Sequence, residues 1–247
     1  MDIEKRRPRK REITDYFDSL DQSLFSKREL TRIFTRFRED WRASTLKIEE
    51  FISILKKIKL KEITLTSPNY DTSFKRYTWA DKSSVYKLAN SLKKNSFFSH
   101  SSAMYLNGLK EDPPTTIYVN HEQSKKSKPK FSLEQERIDT AFKRKPRVSK
   151  YIFNYKDFEI FLLNGKNTNR LGVEEKKLAT EEIVLVTNLE RTLIDIAVRP
   201  VYSGDTQEIL NAYRKAKNKI SIEILTNMLK KIDYVYPYHQ SIGFYLQ

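Results

Sequence analysis

Over residues 12–79 the apolar side chains pass from helical spacing to strict alternation, and that change sets the layout of the front of the chain. Ile13, Tyr16, Phe17 and Leu20 recur every three or four residues, which predicts a helix over 12–20. Ser26 is placed as an N-cap, with Glu29 three residues later completing a capping box. The helix it opens puts Leu30, Ile33, Phe34 and Phe37 on one stripe, and Arg28, Arg32 and Arg36 on another. A third helix follows, with Ile48, Phe51, Ile52, Leu55 and Ile58 on its apolar face. Glu62 to Thr66 then alternates as a strand, Ser67-Pro68-Asn69 turns, and Phe74 to Trp79 returns. Three short helices and a hairpin are the layout of a winged helix, whose third helix enters the major groove while the hairpin flanks the backbone. The solvent-facing candidates on helix three are Lys47, Glu50, Ser53, Lys56 and Lys57, with Lys75 and Arg76 on the wing. Glu49 and Glu50 fit that reading badly, because a carboxylate near DNA costs affinity unless it accepts from a cytosine amine. A small helical module for protein contact is the alternative.

The remainder predicts a second, mixed unit. Helices are expected from Ser83 or Ser84 to Lys93, from Ser99 to Gly108, from a cap at Ser132 to Phe142, from Thr187 to Val198, over Thr206–Lys217 and Ile222–Ile232, and at the end from Tyr238. Strands are expected over Thr116–Asn120, Lys150–Tyr155, Phe158–Leu163 and Glu182–Val186. The expected fold class is α+β, an N-terminal winged helix-turn-helix (12–80) followed by a mixed α/β C-terminal domain (81–247), preceded by a basic arm (1–11).

Charge separates the two parts. The chain has a net charge of +15, yet residues 151–247 contribute only 13 basic against 12 acidic side chains. Residues 1–80 hold 19 against 13 and residues 81–150 hold 15 against 7. A polyanion would therefore meet the first 150 residues, and a phosphate backbone fits because each neutralised phosphate releases a counterion. A solubility surface is the competing explanation. The sharpest cluster is Lys5-Arg6-Arg7-Pro8-Arg9-Lys10-Arg11, read as an extended arm along phosphates or as a solvated tail. The predicted DNA-contacting set is Lys5, Arg6, Arg7, Arg9, Lys10, Arg11, Arg28, Arg32, Arg36, Lys47, Ser53, Lys56, Lys57, Lys75 and Arg76. The runs from Lys125 to Lys130 and from Lys143 to Arg147 read as a surface loop and as cations suited to a helix end.

Catalytic constellations are scarce. With no cysteine there is no thiolate chemistry, and five glycines leave little scope for a phosphate loop. The segments around Gly165 and Gly172 read as polar loop that brackets nothing. Asp157, Glu159 and Lys166 could be drawn as a metal-dependent nuclease site, but a turn and a strand surface explain them as well. His100 reads as a capping or core hydrogen-bonding group, His121 as a loop residue and His239 as packed among Tyr236, Pro237 and Tyr238. Arg191 and Asp195, four apart on one helix, read as a salt bridge of about 0.3 kcal/mol or as members of a shared polar cluster. No run of about 18 apolar residues and no apolar leader is present, so a soluble cytoplasmic protein is expected, with no membrane partner, metal or cofactor.

Several of these segments resemble the AbiEi antitoxin family. They are Ser99–Leu109; Ile117-Tyr118-Val119-Asn120 with Glu122-Gln123; Asn188–Asp195 with Arg199-Pro200 and Tyr202-Ser203-Gly204; and Tyr236–Leu246. The resemblance spans roughly residues 83–247, and the chain ends directly after its last motif, where some members continue. It implies an N-terminal winged helix and a C-terminal α/β antitoxin domain of an abortive-infection module. It further implies a non-enzymatic antitoxin that counters a cognate nucleotidyltransferase-like toxin and represses its own operon by binding double-stranded promoter DNA. A toxin-binding protein without DNA binding, and a metal-dependent nuclease of phage defence, are the alternatives.

Overall fold

A computed structural model of the chain describes residues 8–81, 83–127 and 133–247. Lys5, Arg6, Arg7 and the expected cap Ser132 lie outside the described residues. The fold is mixed α+β, with ten α-helices and nine strands among the described residues. It divides into two compact units, one of residues 1–66 and 72–88, the other of 67–71 and 89–247.

The first unit runs α1 (Lys10–Asp18), β1 (Leu24–Phe25), α2 (Lys27–Phe37), α3 (Ile48–Ile58), β2 (Leu60–Thr66) and β3 (Ser73–Trp79). Ser26 caps α2 as its sequence requires. Its Oγ accepts from the Glu29 amide at 3.2 Å, and its own amide donates to Glu29 Oε2 at 2.7 Å. The β2–β3 hairpin is antiparallel from Leu60↔Trp79 to Thr66↔Ser73. On the far side of β3, Leu24 and Phe25 of β1 pair with Thr78 and Tyr77, giving the order β1-β3-β2. The helices close over this sheet with a core rich in rings. Phe17 stacks on Trp79 at 4.9 Å, and Phe51 stacks between Phe34 at 4.6 Å and Trp41 at 5.6 Å. Phe17, Phe25, Phe51 and Leu55 are fully buried, each contributing about 1.5–3 kcal/mol by leaving water. Asp18 ties the ends together, accepting from Trp79 Nε1 at 2.8 Å and from Lys59 Nζ at 2.6 Å.

α1 lies two residues earlier than the helix expected over 12–20, and β1 is an additional strand whose two residues are too few to display a period. The consequence falls on the arm. Lys10 and Arg11 are helical, and Arg9 is the N-cap with its amide donating to the Trp41 carbonyl at 3.1 Å. Burial of Ile13 and Phe17 pulls the helix start into the basic run, and the Arg9–Glu12 ion pair of 2.9 Å offsets part of its charge.

α4 (Val85–Asn90) contains the boundary between the units. The second unit then runs β4 (Phe97–Phe98), α5 (His100–Leu106), β5 (Thr116–Glu122), α6 (Gln135–Lys143), β6 (Ile152–Tyr155), β7 (Phe158–Gly165), β8 (Val173–Lys177), β9 (Ile183–Thr187), α7 (Leu189–Val198), a short 3-10 turn (Pro200–Tyr202), α8 (Thr206–Ala216), α9 (Ile222–Ile232) and α10 (Tyr238–Leu246). Its strands order as β6-β7-β5-β4-β9-β8, with β5/β7 and β4/β9 parallel and the other pairs antiparallel. One helical layer, α7 to α10, packs Leu193, Ile196, Ile209, Tyr213, Leu225, Ile232 and Ile242 into a single cluster. β8 and β4 were not legible as strands. Val173-Glu174-Glu175-Lys176-Lys177 is an edge strand whose charges discourage further pairing, and β4 has only two residues. His121 lies within β5, not in a loop, and His239 is exposed on α10, not packed.

Candidate nucleic-acid interface

The exposed face of α3 is set by the burial of its other face. Phe51, Ile52 and Leu55 point inward, which leaves Glu49, Glu50, Ser53, Lys56 and Lys57 in solvent. Both carboxylates, expected to be awkward against DNA, have partners within the unit. Glu50 Oε2 accepts from the Lys47 amide at 2.7 Å, closing the helix N-terminus. Glu49 is paired with Lys27 Nζ of α2 at 2.8 Å, and that hydrogen bond holds its carboxyl below the usual range.

Two predicted contacts are likewise engaged. Glu62 of β2 accepts from Lys56 Nζ at 2.5 Å and from Lys75 Nζ at 2.8 Å, bridging α3 and the hairpin. Lys56 first and Lys75 second depress the Glu62 pKa. Among the described residues, Lys47, Lys57, Arg28, Arg32 and Arg36 make no ion pair and are exposed. Arg36 also lies over the Phe37 ring at 5.0 Å. Arg28, Arg32 and Arg36 ascend one face of α2 at about 6 Å per step. Arg76 is half-buried, and desolvation lowers its pKa. Arg9, Lys10 and Arg11 stand at the start of α1, with Arg11 a long 4.0 Å from Asp15.

The second unit holds a polar cluster in its interior. Asn188 caps α7, its Oδ1 accepting from the Arg191 amide at 3.0 Å, and every residue from Glu190 to Ala197 is buried. Arg191 Nε donates to Asp195 Oδ1 at 2.9 Å, with side-chain exposures of 3% and 6%. Arg191 Nη1 donates to Thr168 Oγ1 at 3.0 Å and to the Leu171 carbonyl at 2.8 Å. Thr168 in turn donates through its hydroxyl to Glu122, whose Oε2 also accepts from the Arg170 amide at 3.1 Å. The pair is thus interior, not a surface helix bridge, and it does join a shared polar cluster. Asp195 Oδ2 is buried without a hydrogen-bond partner among the described residues. Gly172, at φ +72°, lets the loop pass: a Cβ there would lie 2.8 Å from Arg191 Cβ. At Gly165 a Cβ would meet Asn120 Nδ2 at 2.5 Å. The segment around the two glycines therefore packs on buried polar side chains, whereas its sequence reads as loop that brackets nothing.

His100 is buried with Ser99 Oγ 2.8 Å from its Nδ1 and the Tyr202 ring edge-on at 5.4 Å. Burial pushes its pKa down to about 4, the Asp195 carboxylate opposing and Arg199 and Arg191 assisting. Asp157 and Lys166 sit at opposite ends of β7, roughly 30 Å apart along an extended strand. Lys166 donates to the Asp233 carbonyl, and Glu159 is exposed between them. The three are not brought together. Among the described residues, no group of three or more His, Asp or Glu side chains is placed to hold a metal ion, and no helix is long and apolar enough to cross a membrane.

The crystal structure of the RV2827C protein from Mycobacterium tuberculosis is similar over 95% of this chain and 74% of that one, with a TM-score of 0.53 and 12% sequence identity. The likeness is one of fold. No family of known proteins matches the chain by sequence, and no characterised protein does.

Proposed function

We propose that the chain is a DNA-binding antitoxin that represses its own operon. Its first unit is read as a winged helix-turn-helix. The observation that carries this reading is the order α1-β1-α2-α3-β2-β3 with β1 joined to β3, which leaves one face of α3 open beside the hairpin. In such a unit the open helix enters the major groove. Lys47, Ser53 and Lys57 then face the duplex, with Arg28, Arg32 and Arg36 serving the flanking phosphates and Lys56 and Lys75 released to phosphate from Glu62. The antitoxin half rests on the motifs of residues 83–247 that resemble the AbiEi family. Neutralisation is read as direct contact with a nucleotidyltransferase-like toxin, with Phe244 of α10, 69% exposed, as a candidate contact.

Band-shift titration against DNA upstream of the gene, with competitor DNA at moderate salt, tests the repressor. A preference for that DNA supports it, and equal binding to unrelated duplex retires it. Co-purification with the product of the neighbouring gene, lost in Phe244→Glu, supports the contact reading.

A further inference from the structure

A second cationic surface lies in the other unit and is not explained by duplex reading. From Phe142 to Lys150 the chain reads Phe-Lys-Arg-Lys-Pro-Arg-Val-Ser-Lys, with five cations and no acid. All five are exposed and make no ion pair among the described residues. Beyond the end of α6 the segment has no regular structure, yet its backbone is fixed. The buried Tyr202 hydroxyl accepts from the Ser149 amide at 2.8 Å and donates to the Arg147 carbonyl at 3.3 Å. Ser149 Oγ donates to the Leu162 carbonyl at 2.8 Å. The cations therefore project from a pinned ledge.

At one end of the ledge is an aromatic platform. Phe142 is 53% exposed, with the Tyr236 ring 5.9 Å and the Tyr238 ring 5.8 Å from it. α6 buries no residue at all, so Phe142 is not held there by a core. Carboxylates adjoin the platform: Glu134 and Glu136 line one pocket with Arg144 and Tyr236, and Asp139 lies one turn before Phe142 on α6, so the phosphates fall to the cations at and beyond the helix end. An exposed ring beside a row of unpaired cations matches a ligand that joins phosphates to accessible base faces. In a duplex those faces are stacked away, and in a single strand they are free.

We infer that this ledge binds single-stranded nucleic acid, with Phe142 stacking on a base and Lys143, Arg144 and Arg147 following the phosphates. This site goes beyond the duplex reading and shares no residue with it.

Anisotropy titrations with labelled 12-nucleotide oligouridylate and oligothymidylate, an abasic strand of equal charge and a 12-base-pair duplex test the inference. The two base-bearing strands separate RNA from DNA as the source. Phe142→Ala should weaken binding of at least one base-bearing strand about tenfold, with Phe142→Trp restoring it and the duplex unaffected. Arg144→Ala with Arg147→Ala should reduce the single-strand salt slope by about 1.4. Lys57→Ala should weaken duplex binding alone. Equal affinity for the abasic strand, or single-strand affinity unchanged in Phe142→Ala, would overturn the inference while leaving duplex binding by the first unit untouched.

Discussion

Glu62 in the first unit and Asp195 in the second each hold basic partners, and the two pairings obey different physics. Glu62 and its lysines are open to solvent, with side-chain exposures of 22%, 42% and 55%. Water screens that bridge and competes for each of its charges, so phosphate can replace the carboxylate at small cost. Asp195 and Arg191 are almost wholly buried, and neither can regain its hydration without unfolding. The same charge chemistry thus makes an exchangeable pairing at Glu62 and a fixed one at Asp195. That contrast adds to the element order of the first unit, on which its proposed duplex binding rests.

The largest effect should come from breaking the buried pair. Arg191→Ala leaves the Asp195 carboxylate without its cation and should cost about 3–5 kcal/mol, read as a shift of the urea midpoint. A loss below about 1 kcal/mol, the range of an exposed pair, would remove the contrast between the units.

His100 sharpens it next. Its imidazole titrates near 6.5 when unfolded and at about 4 when folded, so the unfolded chain binds the extra proton between those values. Its contribution to stability is complete above pH 6.5 and is lost as pH falls toward 4, by roughly 3 kcal/mol in total. His100→Asn, which tolerates the residue's φ of +53°, should be less stable at pH 7 and fall less steeply between pH 6.5 and 4.5. Denaturation at four or five pH values reads the slope, and parallel slopes would remove His100 from the acid response.

Glu62→Gln should give the smallest change in stability, less than about 1 kcal/mol, yet it should tighten duplex binding by freeing Lys56 and Lys75. Weaker duplex binding would show that Glu62 positions those lysines instead of competing for them.

Sequence legibility follows how local a signal is, in both units: Thr206–Ala216 and Ile222–Ile232 of the second unit were as readable as the helices of the first. The first unit was readable because its signals are local: Ser26 with Glu29, the stripe from Ile48 to Ile58, and alternation across the hairpin. β1 and β4 were not, since two residues hold no period and each exists only through a distant partner. The DNA-facing candidates could be named from solvent-facing spacing, but Glu62 as the bridge between Lys56 and Lys75 could not, because it requires the hairpin's packing against α3. The burial of Arg191 and the packing role of Gly172 were hidden for a different reason. A charged side chain inside an apolar helix has the spacing of an exposed one, and only the loop folded over it reveals the difference.

Duplex binding across a salt series, for the natural chain and for a variant carrying Arg32→Ala, Lys47→Ala and Lys57→Ala together, examines the exposed face of α2 and α3 in one experiment. The slope of log Kobs against log salt should flatten by about 2.7, from three lost phosphate contacts at roughly 0.9 each, with the thermal midpoint unchanged. An unchanged slope would place the duplex elsewhere on the chain and withdraw that face from DNA recognition.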